Sequence, residues 1–283
     1  FNLHGLYKKS GRIPKDSDYA RSGRITTKGI FENYKGLGGR KESHIFYIDC
    51  AQAIQTKGYN QKVNPYFLGL WLGNGSRHTG ILTTNKKHVD EQVIYLESMG
   101  LKVNKVKTGK PVEYQAEALS VFNAEGKNCL QDIFAELGTK EIKVKGFKPE
   151  WLLLNIEDRF ELLRGLIDSD GNISKLGRVE FYNTSKELVE GFFQLAASLG
   201  FKPRIRTRLV EGLDKKVTLK NGQVIHSKKD IFACHFMAYA EHHLSHLTSK
   251  QSNLKTTGRK TEAFRRRIVD VQPVAAEPVR CIM

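Results

Sequence analysis

Two oily nine-residue stretches, 96 positions apart, constrain this chain more than any other feature. "FLGLWLGNG" (67–75) and "LRGLIDSDG" (163–171) both run from apolar residues into a polar residue and a glycine, with Asn74 in the first where the second has Asp170. The likeness continues downstream. "ILTTNKKHVDEQVIYLESMGLKV" and "VEFYNTSKELVEGFFQLAASLGFKP" each read as strand, polar turn, amphipathic helix, glycine and basic strand. Met99-Gly100-Leu101-Lys102 aligns with Leu199-Gly200-Phe201-Lys202 at an offset of 100, so the second copy holds four extra residues, expected in its first hairpin. The chain reads as a tandem duplication of about 100 residues.

Local signals agree with that repeat. Val89, Val93 and Leu96, and Leu188, Phe192, Leu195 and Leu199, recur at helical steps. Gly100 and Gly200 follow them where a left-handed C-terminal cap belongs. In "KKVTLKNGQVIHSKK", Asn221-Gly222 separates two alternating runs and predicts a hairpin. Each copy reads as helix, two strands, helix, two strands, helix, which makes an α+β fold.

The segment Tyr66–Leu72 is apolar on every face and predicts a helix buried all round. Gly69 and Gly73 are four apart, and Gly165 and Ser169 repeat the spacing, so small residues line one face of each motif helix. The two helices are expected to pack against each other there about a pseudo-two-fold axis, with Gly75 and Gly171 at their C-terminal ends and residues 74 and 170 as neighbours. A pair of carboxylates in that place is unfavourable beside two negative helix termini, and a divalent cation removes the conflict. Oxygen ligands point to Mg²⁺, with Mn²⁺ or Ca²⁺ able to substitute in binding. A cation shared across such a site suits in-line attack on a phosphodiester. The candidate metal ligands are Asn74 and Asp170, with Gly73 and Ser169 beside them.

Charge points to the partner. Forty-six Lys and Arg against 30 Asp and Glu leave +16, spread through segments that read as folded, and a polyanion is the leading explanation. In "KPRIRTRLVEG", period two places Arg204, Arg206 and Arg208 on one face of a strand, with Ile205, Thr207 and Leu209 toward the core. Arg reads guanine or holds phosphate, so the row suits a major groove. Lys105 and Lys107 lie on the corresponding strand of the first copy, and Arg178, Lys228 and Lys229 complete the candidate DNA-binding set. Cys50, Cys129, Cys234 and Cys281 form no CxxC pair, which argues against zinc and against a disulfide framework. The nine His, among them His242, His243 and His246, show no ligand spacing and read as a polar helix face. No signal peptide precedes Phe1 and no apolar run reaches the roughly 20 residues of a membrane span. An intracellular protein, in cytoplasm or nucleoid, is expected.

The paired motifs resemble those of the LAGLIDADG homing endonuclease family. "LRGLIDSDG" departs from the family's nine-letter name only at Arg164 and Ser169, and "FLGLWLGNG" resembles the form common in intein-borne members, which normally ends in Asp-Gly. The resemblance covers most of 43–265 and implies two pseudo-symmetric αββαββα units packed through paired motif helices: residues 61–158 and 159–265. It also implies saddle-like sheets on a long, asymmetric duplex site, metal-dependent double-strand cleavage, and a monomer acting as a pseudo-dimer. A lysine near each scissile phosphate is implied too. In the first copy Lys145 or Lys148 is available, and in the second Lys250, with Gln251 as a water-orienting neighbour. Asn74 stands at the first catalytic acid position and offers a cation one neutral oxygen in place of a charge. Two function classes follow: an endonuclease, inactivated or reduced to nicking by Asn74, and a non-catalytic sequence-specific DNA-binding module derived from one.

The flanks carry a second resemblance. "RRRIVDVQPVAAEPVRCIM" (265–283) is similar to a truncated C-terminal splicing block of inteins, and "RITTKGIFENYKG" and "SHIFYIDCAQAI" are similar to the stretch before an intein's endonuclease. Residues 1–60 are accordingly expected to be a basic remnant of a splicing region and 266–283 a tail of the same origin. With neither an N-terminal Cys or Ser nor a terminal His-Asn, this stretch alone is not expected to splice.

Overall fold

The two motif segments form the helices around which residues 51–263 fold. The structure, a computed structural model, describes residues 27–33, 47–106, 116–208, 216–218, 224–226, 230–255 and 264–275. The chain divides into two compact units, residues 1–50 with 264–283 and residues 51–263. In the first unit, α1 spans Thr27–Asn33, and β1 (Tyr47–Asp49) pairs antiparallel with β11 (Arg265–Arg267). Arg265 Nε donates to Asp49 Oδ1 at 2.7 Å, and the Cys50 N–H donates to Phe264 O at 2.7 Å.

In the second unit the first copy runs α2 (Pro65–Asn74), β2 (Leu82–Asn85), α3 (Val89–Ser98), β3 (Lys102–Val106), β4 (Ala116–Phe122) and α4 (Cys129–Leu137). A 3₁₀ turn at Pro149–Leu153 leads into α5 (Ile156–Asp170). The second copy continues with β5 (Gly171–Ile173), β6 (Arg178–Asn183), α6 (Lys186–Ser198), β7 (Arg204–Arg208) and β10 (Ile231–Met237). Between β7 and β10, β8 (Lys216–Thr218) pairs antiparallel with β9 (Val224–His226) in its own two-stranded sheet, and Asn221-Gly222 between them lies outside the described residues. The copy ends in a 3₁₀ turn at Ala240–His242 and a short α7 (Thr248–Gln251). The sheets run β2-β4-β3 and β5-β6-β10-β7, antiparallel throughout.

Two boundaries differ from the sequence reading. Residues 51–60 belong with the second unit: the Ile54 N–H donates to Ser198 O at 2.9 Å, and Thr56 Oγ1 donates to Leu153 O and Leu154 O. The four extra residues of the second copy are shared between two places. Asn85 and Asn183 make the same Asx turn at the end of β2 and β6, accepting from Lys87 N at 2.9 Å and Ser185 N at 2.8 Å, and they sit at an offset of 98. Only half of the insertion therefore lies in the hairpin, and α6 takes the rest as a longer helix.

Helix ends follow from local chemistry. Asn64, Asn128, Asn155 and Ser185 each accept a backbone N–H from the first turn of the helix they precede. Gly100 and Gly200, at φ +80° and +90°, close Schellman turns in which Leu101 N donates to Leu96 O and Phe201 N to Ala196 O. Gly75 and Gly171 differ: both are extended, at φ −81° and −91°, and donate to Trp71 O and Ile167 O, Gly171 opening β5 and Gly75 making an isolated bridge to Leu82.

The core sits on the helix-covered sides of the sheets and along the α2–α5 seam. Tyr66 through Leu72 are all buried. A Cβ added at Gly69 would lie 2.5 Å from Leu162 O and 2.7 Å from Leu166 N, and one at Gly165 would lie 2.9 Å from Gly69 Cα. The helices touch backbone to backbone, which only glycine permits.

Candidate functional site

The close crossing of α2 and α5 brings their C-terminal ends together. A Cβ on Gly73 would stand 3.3 Å from Asp170 Cγ and 2.5 Å from Ser169 Cβ, so the second motif's carboxylate lies over the end of the first motif helix. Asn74, the last residue of α2, is exposed. Asp170 is half-buried, and its Oδ2 accepts from Asn183 Nδ2 at 3.1 Å. Burial pushes the Asp170 carboxyl up, opposed by Lys145, the Asn183 amide and Lys250.

Each helix end is capped by a lysine. Lys145 Nζ donates to Trp71 O at 2.8 Å, Gly73 O at 3.1 Å and Leu72 O at 3.3 Å. Lys250 Nζ donates to Ile167 O at 2.7 Å, Gly171 O at 2.9 Å and Asp168 O at 3.1 Å. Trp71 O and Ile167 O also accept from the Gly75 and Gly171 N–H groups, and a cation at these C-terminal carbonyls meets the negative end of each dipole. Burial lowers both amines, Lys145 to about 8, while Asp170 pulls Lys145 upward and Asp168 and Asp170 pull Lys250 upward. One carboxylate thus lies between two partly desolvated ammonium groups.

Lys145 and Lys148 lie in different surroundings. Lys148 donates to Tyr59 Oη at 2.7 Å and Glu136 O at 3.0 Å, inside a cluster where Glu136 also accepts from Trp151 Nε1 at 3.0 Å. Lys148 is committed to that cluster, away from the helix ends. Gln251 donates to Ala240 O at 3.2 Å, and its buried Oε1 has no hydrogen-bond partner among the described residues.

The expected metal set contracts. The Gly73 carbonyl already accepts from Lys145, and the Ser169 hydroxyl donates to Leu166 O at 3.0 Å. Among the described residues no three His, Cys, Asp or Glu side chains group as metal ligands. Asp170 Oδ1 remains, with the exposed Asn74 at the end of the facing helix. A single carboxylate fits a hydrated Mg²⁺ when phosphate oxygens of a bound substrate supply the rest of the charge.

The sheets fix which side chains face away from the helices. In the second copy Ile173, Val179, Phe181, Cys234 and Phe236 are buried on the helix side, so Arg178, Glu180, Tyr182, His235, Arg204 and Arg206 share the open face. The Arg208 backbone continues that strand, while Lys107, Lys228 and Lys229 lie outside the described residues. Ile205 and Thr207 do lie on the helix side, but β7 is an edge strand and both stay exposed, Ile205 at 39%. His235 is held below its usual pKa by burial and by Arg206 and Arg178.

Lys105 is a correction. It pairs opposite the buried Leu119, on the helix side of its sheet, and its Nζ reaches Asp90 of α3 at 3.1 Å. At an offset of 100 it matches Ile205, whereas Asn104 matches Arg204. The open face of β3 therefore carries Lys102 and Asn104, and the parity was legible from the Gly100–Gly200 alignment.

The histidines also depart from expectation. His242 caps its own 3₁₀ turn, His243 adopts φ +45°, and His246 stacks on Tyr95 at 3.5 Å with Nε2 at 3.0 Å from Glu161 Oε2. Sequence reasoning passed over Asp168 as well. It is buried in the second motif and accepts from Tyr66 Oη at 2.9 Å, from the Ser245 hydroxyl and from the His246 N–H at 3.0 Å. The signal was present, since a carboxylate two residues before Asp170 on an α-helix points to a different side.

Residues 157–268 match the family model described as a LAGLIDADG-like domain. The chain is 26% identical over 232 residues to a replicative DNA helicase DnaB of Mycobacterium intracellulare, covering 82% of this chain and 34% of that protein, so it spans about a third of the relative's length. Among solved structures it is similar to mesophilic variants of the homing endonuclease I-DmoI, at 14% identity over 70% of this chain and 97% of that one, with a TM-score of 0.38. I-DmoI in complex with DNA and Mn matches at 18% identity over 62% and 88% of the two chains, TM-score 0.36. I-DmoI in complex with DNA and Ca matches at 14% over 68% and 95%, TM-score 0.37. The matched stretch, 157–268, is thus a LAGLIDADG-like domain, and the first copy repeats its motif helix.

Proposed function

We propose that the chain is a homing-type DNA endonuclease of intein origin, reduced to nicking or silenced by Asn74. The observation that carries this is the convergence of Asp170, Asn74, Lys145 and Lys250 on one pair of helix ends. Long asymmetric duplex DNA is the substrate, bound across the open sheet faces by one chain acting as a pseudo-dimer. The one carboxylate fixes a water-bearing edge at Oδ1 because Asn183 occupies Oδ2. Lys145, lowered to about 8, holds its proton beside a scissile phosphate at neutral pH, supports the charge that develops there, and gives up that proton just above it. Lys250, also lowered by burial, supports the charge that develops at the second phosphate. Mg²⁺, when bound at Asp170, supplies Lewis acidity and a more acidic water.

The intein origin draws support from two observations. Residues 47–49 and 265–267 pair as neighbours, so the chain on both sides of the second unit meets at one place. A DnaB helicase in which a third of the length aligns with this chain fits an element carried inside a host protein. An intracellular location belongs to the same reading.

Asn74 favours a second reading, in which the chain binds a specific duplex and does not cut. Selection from a randomised duplex library, followed by cleavage of the selected site with Mg²⁺, separates the two. A selected site that is nicked supports the nuclease, and one bound but left intact supports the module. No enriched site contradicts both.

A further inference from the structure

The two copies hold their lysines differently. Lys145 reaches α2 from a stretch with no polar anchor at the matching helix position, since Leu72 occupies it. In the second copy that position is Asp168, and its carboxylate, 4% exposed, accepts from Tyr66 Oη of the partner helix, the Ser245 hydroxyl and the His246 N–H. Ser245 and His246 precede Lys250 by only five and four residues. The first copy holds the same segment from its other side, where His246 stacks on Tyr95 and the Thr248 N–H donates to Glu91 Oε2 at 2.6 Å.

We propose that Asp168 is a positioning residue: its buried carboxylate latches residues 245–247 to α5 and so fixes Lys250 at the end of the second motif helix. The latch exists in one copy only, and this inference rests on the proposed nuclease reading for its effect on DNA, though not for its effect on Lys250. An amide at 168 has one acceptor oxygen where the carboxylate has two, so the Ser245 hydroxyl, which donates to Oδ1, must reverse its role or lose its partner, and the charge that the His246 N–H and the Tyr66 hydroxyl meet on Oδ2 is gone. The amide in Asp168→Asn keeps the volume and removes the charge.

The test uses the full chain, with lysines acylated by a small active ester and the rates read at Lys250 and Lys145 by peptide mass. In folded Asp168→Asn the Lys250 rate should rise about tenfold, the equivalent of one buried hydrogen bond to a charged group, while Lys145 is unchanged. An unchanged Lys250 rate overturns the proposal. If Asp168→Asn unfolds, all lysines react together and Ser245→Ala decides, with a smaller rise at Lys250 alone expected and no rise contradicting the latch. In an Asn74→Asp background, Asp168→Asn should slow cleavage of one strand and accumulate nicked duplex. Equal slowing of both strands overturns the positioning role. Should the Asn74→Asp parent cut no duplex, the nuclease reading fails and the acylation rates still settle the latch.

Discussion

Gly165→Ala should destabilise the chain by about 2 kcal/mol or more, because the α2–α5 crossing leaves no room for a methyl group. The added Cβ would overlap Tyr66 O and stand 2.9 Å from both Gly69 Cα and Leu70 N. All three belong to the backbone of α2, so no rotamer change relieves them. Carbon contacts settle at roughly 3.5–4.0 Å, so the helices must part by about 1 Å, which forfeits a quarter to a half of each contact's attraction. A buried leucine makes about 40–60 contacts of about 0.1–0.2 kcal/mol each. Loosening Leu70, Leu162 and Leu166, which are 3%, 0% and 0% exposed, therefore costs about 3 kcal/mol or more. The better helix propensity of alanine returns about 1 kcal/mol. Urea unfolding, compared at constant slope, reads the difference. Gly146→Ala is the control, since its Cβ would meet only Glu187 Oε2 at 3.4 Å. A Gly165→Ala chain as stable as its parent, or more stable by its gain in propensity, would refute the backbone contact and with it the pairing of the helix ends.

Three further outcomes are expected. Lys102→Ala should weaken DNA binding on all sequences and reduce the salt slope by about 0.9, while Lys105→Ala, on the helix side, leaves the slope unchanged; titration at several salt concentrations checks both. Arg204→Ala and Arg206→Ala should each cost about 1–3 kcal/mol on the selected site where a base is read, whereas an equal small loss on unrelated duplexes would assign them to phosphates. Lys145 binds its proton less well folded, at about 8 against 10.5 unfolded, so the unfolded chain holds more protons across that window. Stability should therefore rise with pH from about 8 toward 10.5 by a contribution that Lys145→Met removes, read as the difference between the two unfolding profiles.

Much of the fold was legible because the repeat states it twice. The buried α2 followed from an apolar run with no polar face, and the motif seam from small residues at four-residue spacing. The antiparallel pairing of β8 with β9 and the Schellman glycines followed from local chemistry. Lys105 was misplaced because basic residues near a strand were counted without their parity, and one residue of register moves a side chain to the other face. Asp168 and His246 were not legible as a unit, since their contacts span 78 residues of sequence and depend on where the chain after β10 returns. The insertion between the copies was divided only by seeing that Asn85 and Asn183 make the same turn.

The central claim is that Asp170 and residue 74 form one cutting centre that lacks a carboxylate. Asn85, at the end of β2, makes the same Asx turn as Asn183, whose amide donates to Asp170. The direct measurement is cleavage of the selected duplex with Mg²⁺ by fresh parent protein, Asn74→Asp and Asp170→Asn, with nicked and linear products counted separately and residue 74 identified by peptide mass. The account predicts nicking at most from the parent, linear product at a rate higher by orders of magnitude from Asn74→Asp, and neither from Asp170→Asn. Full double-strand cleavage by a parent whose residue 74 is intact Asn, or undiminished cutting by Asp170→Asn, would contradict it.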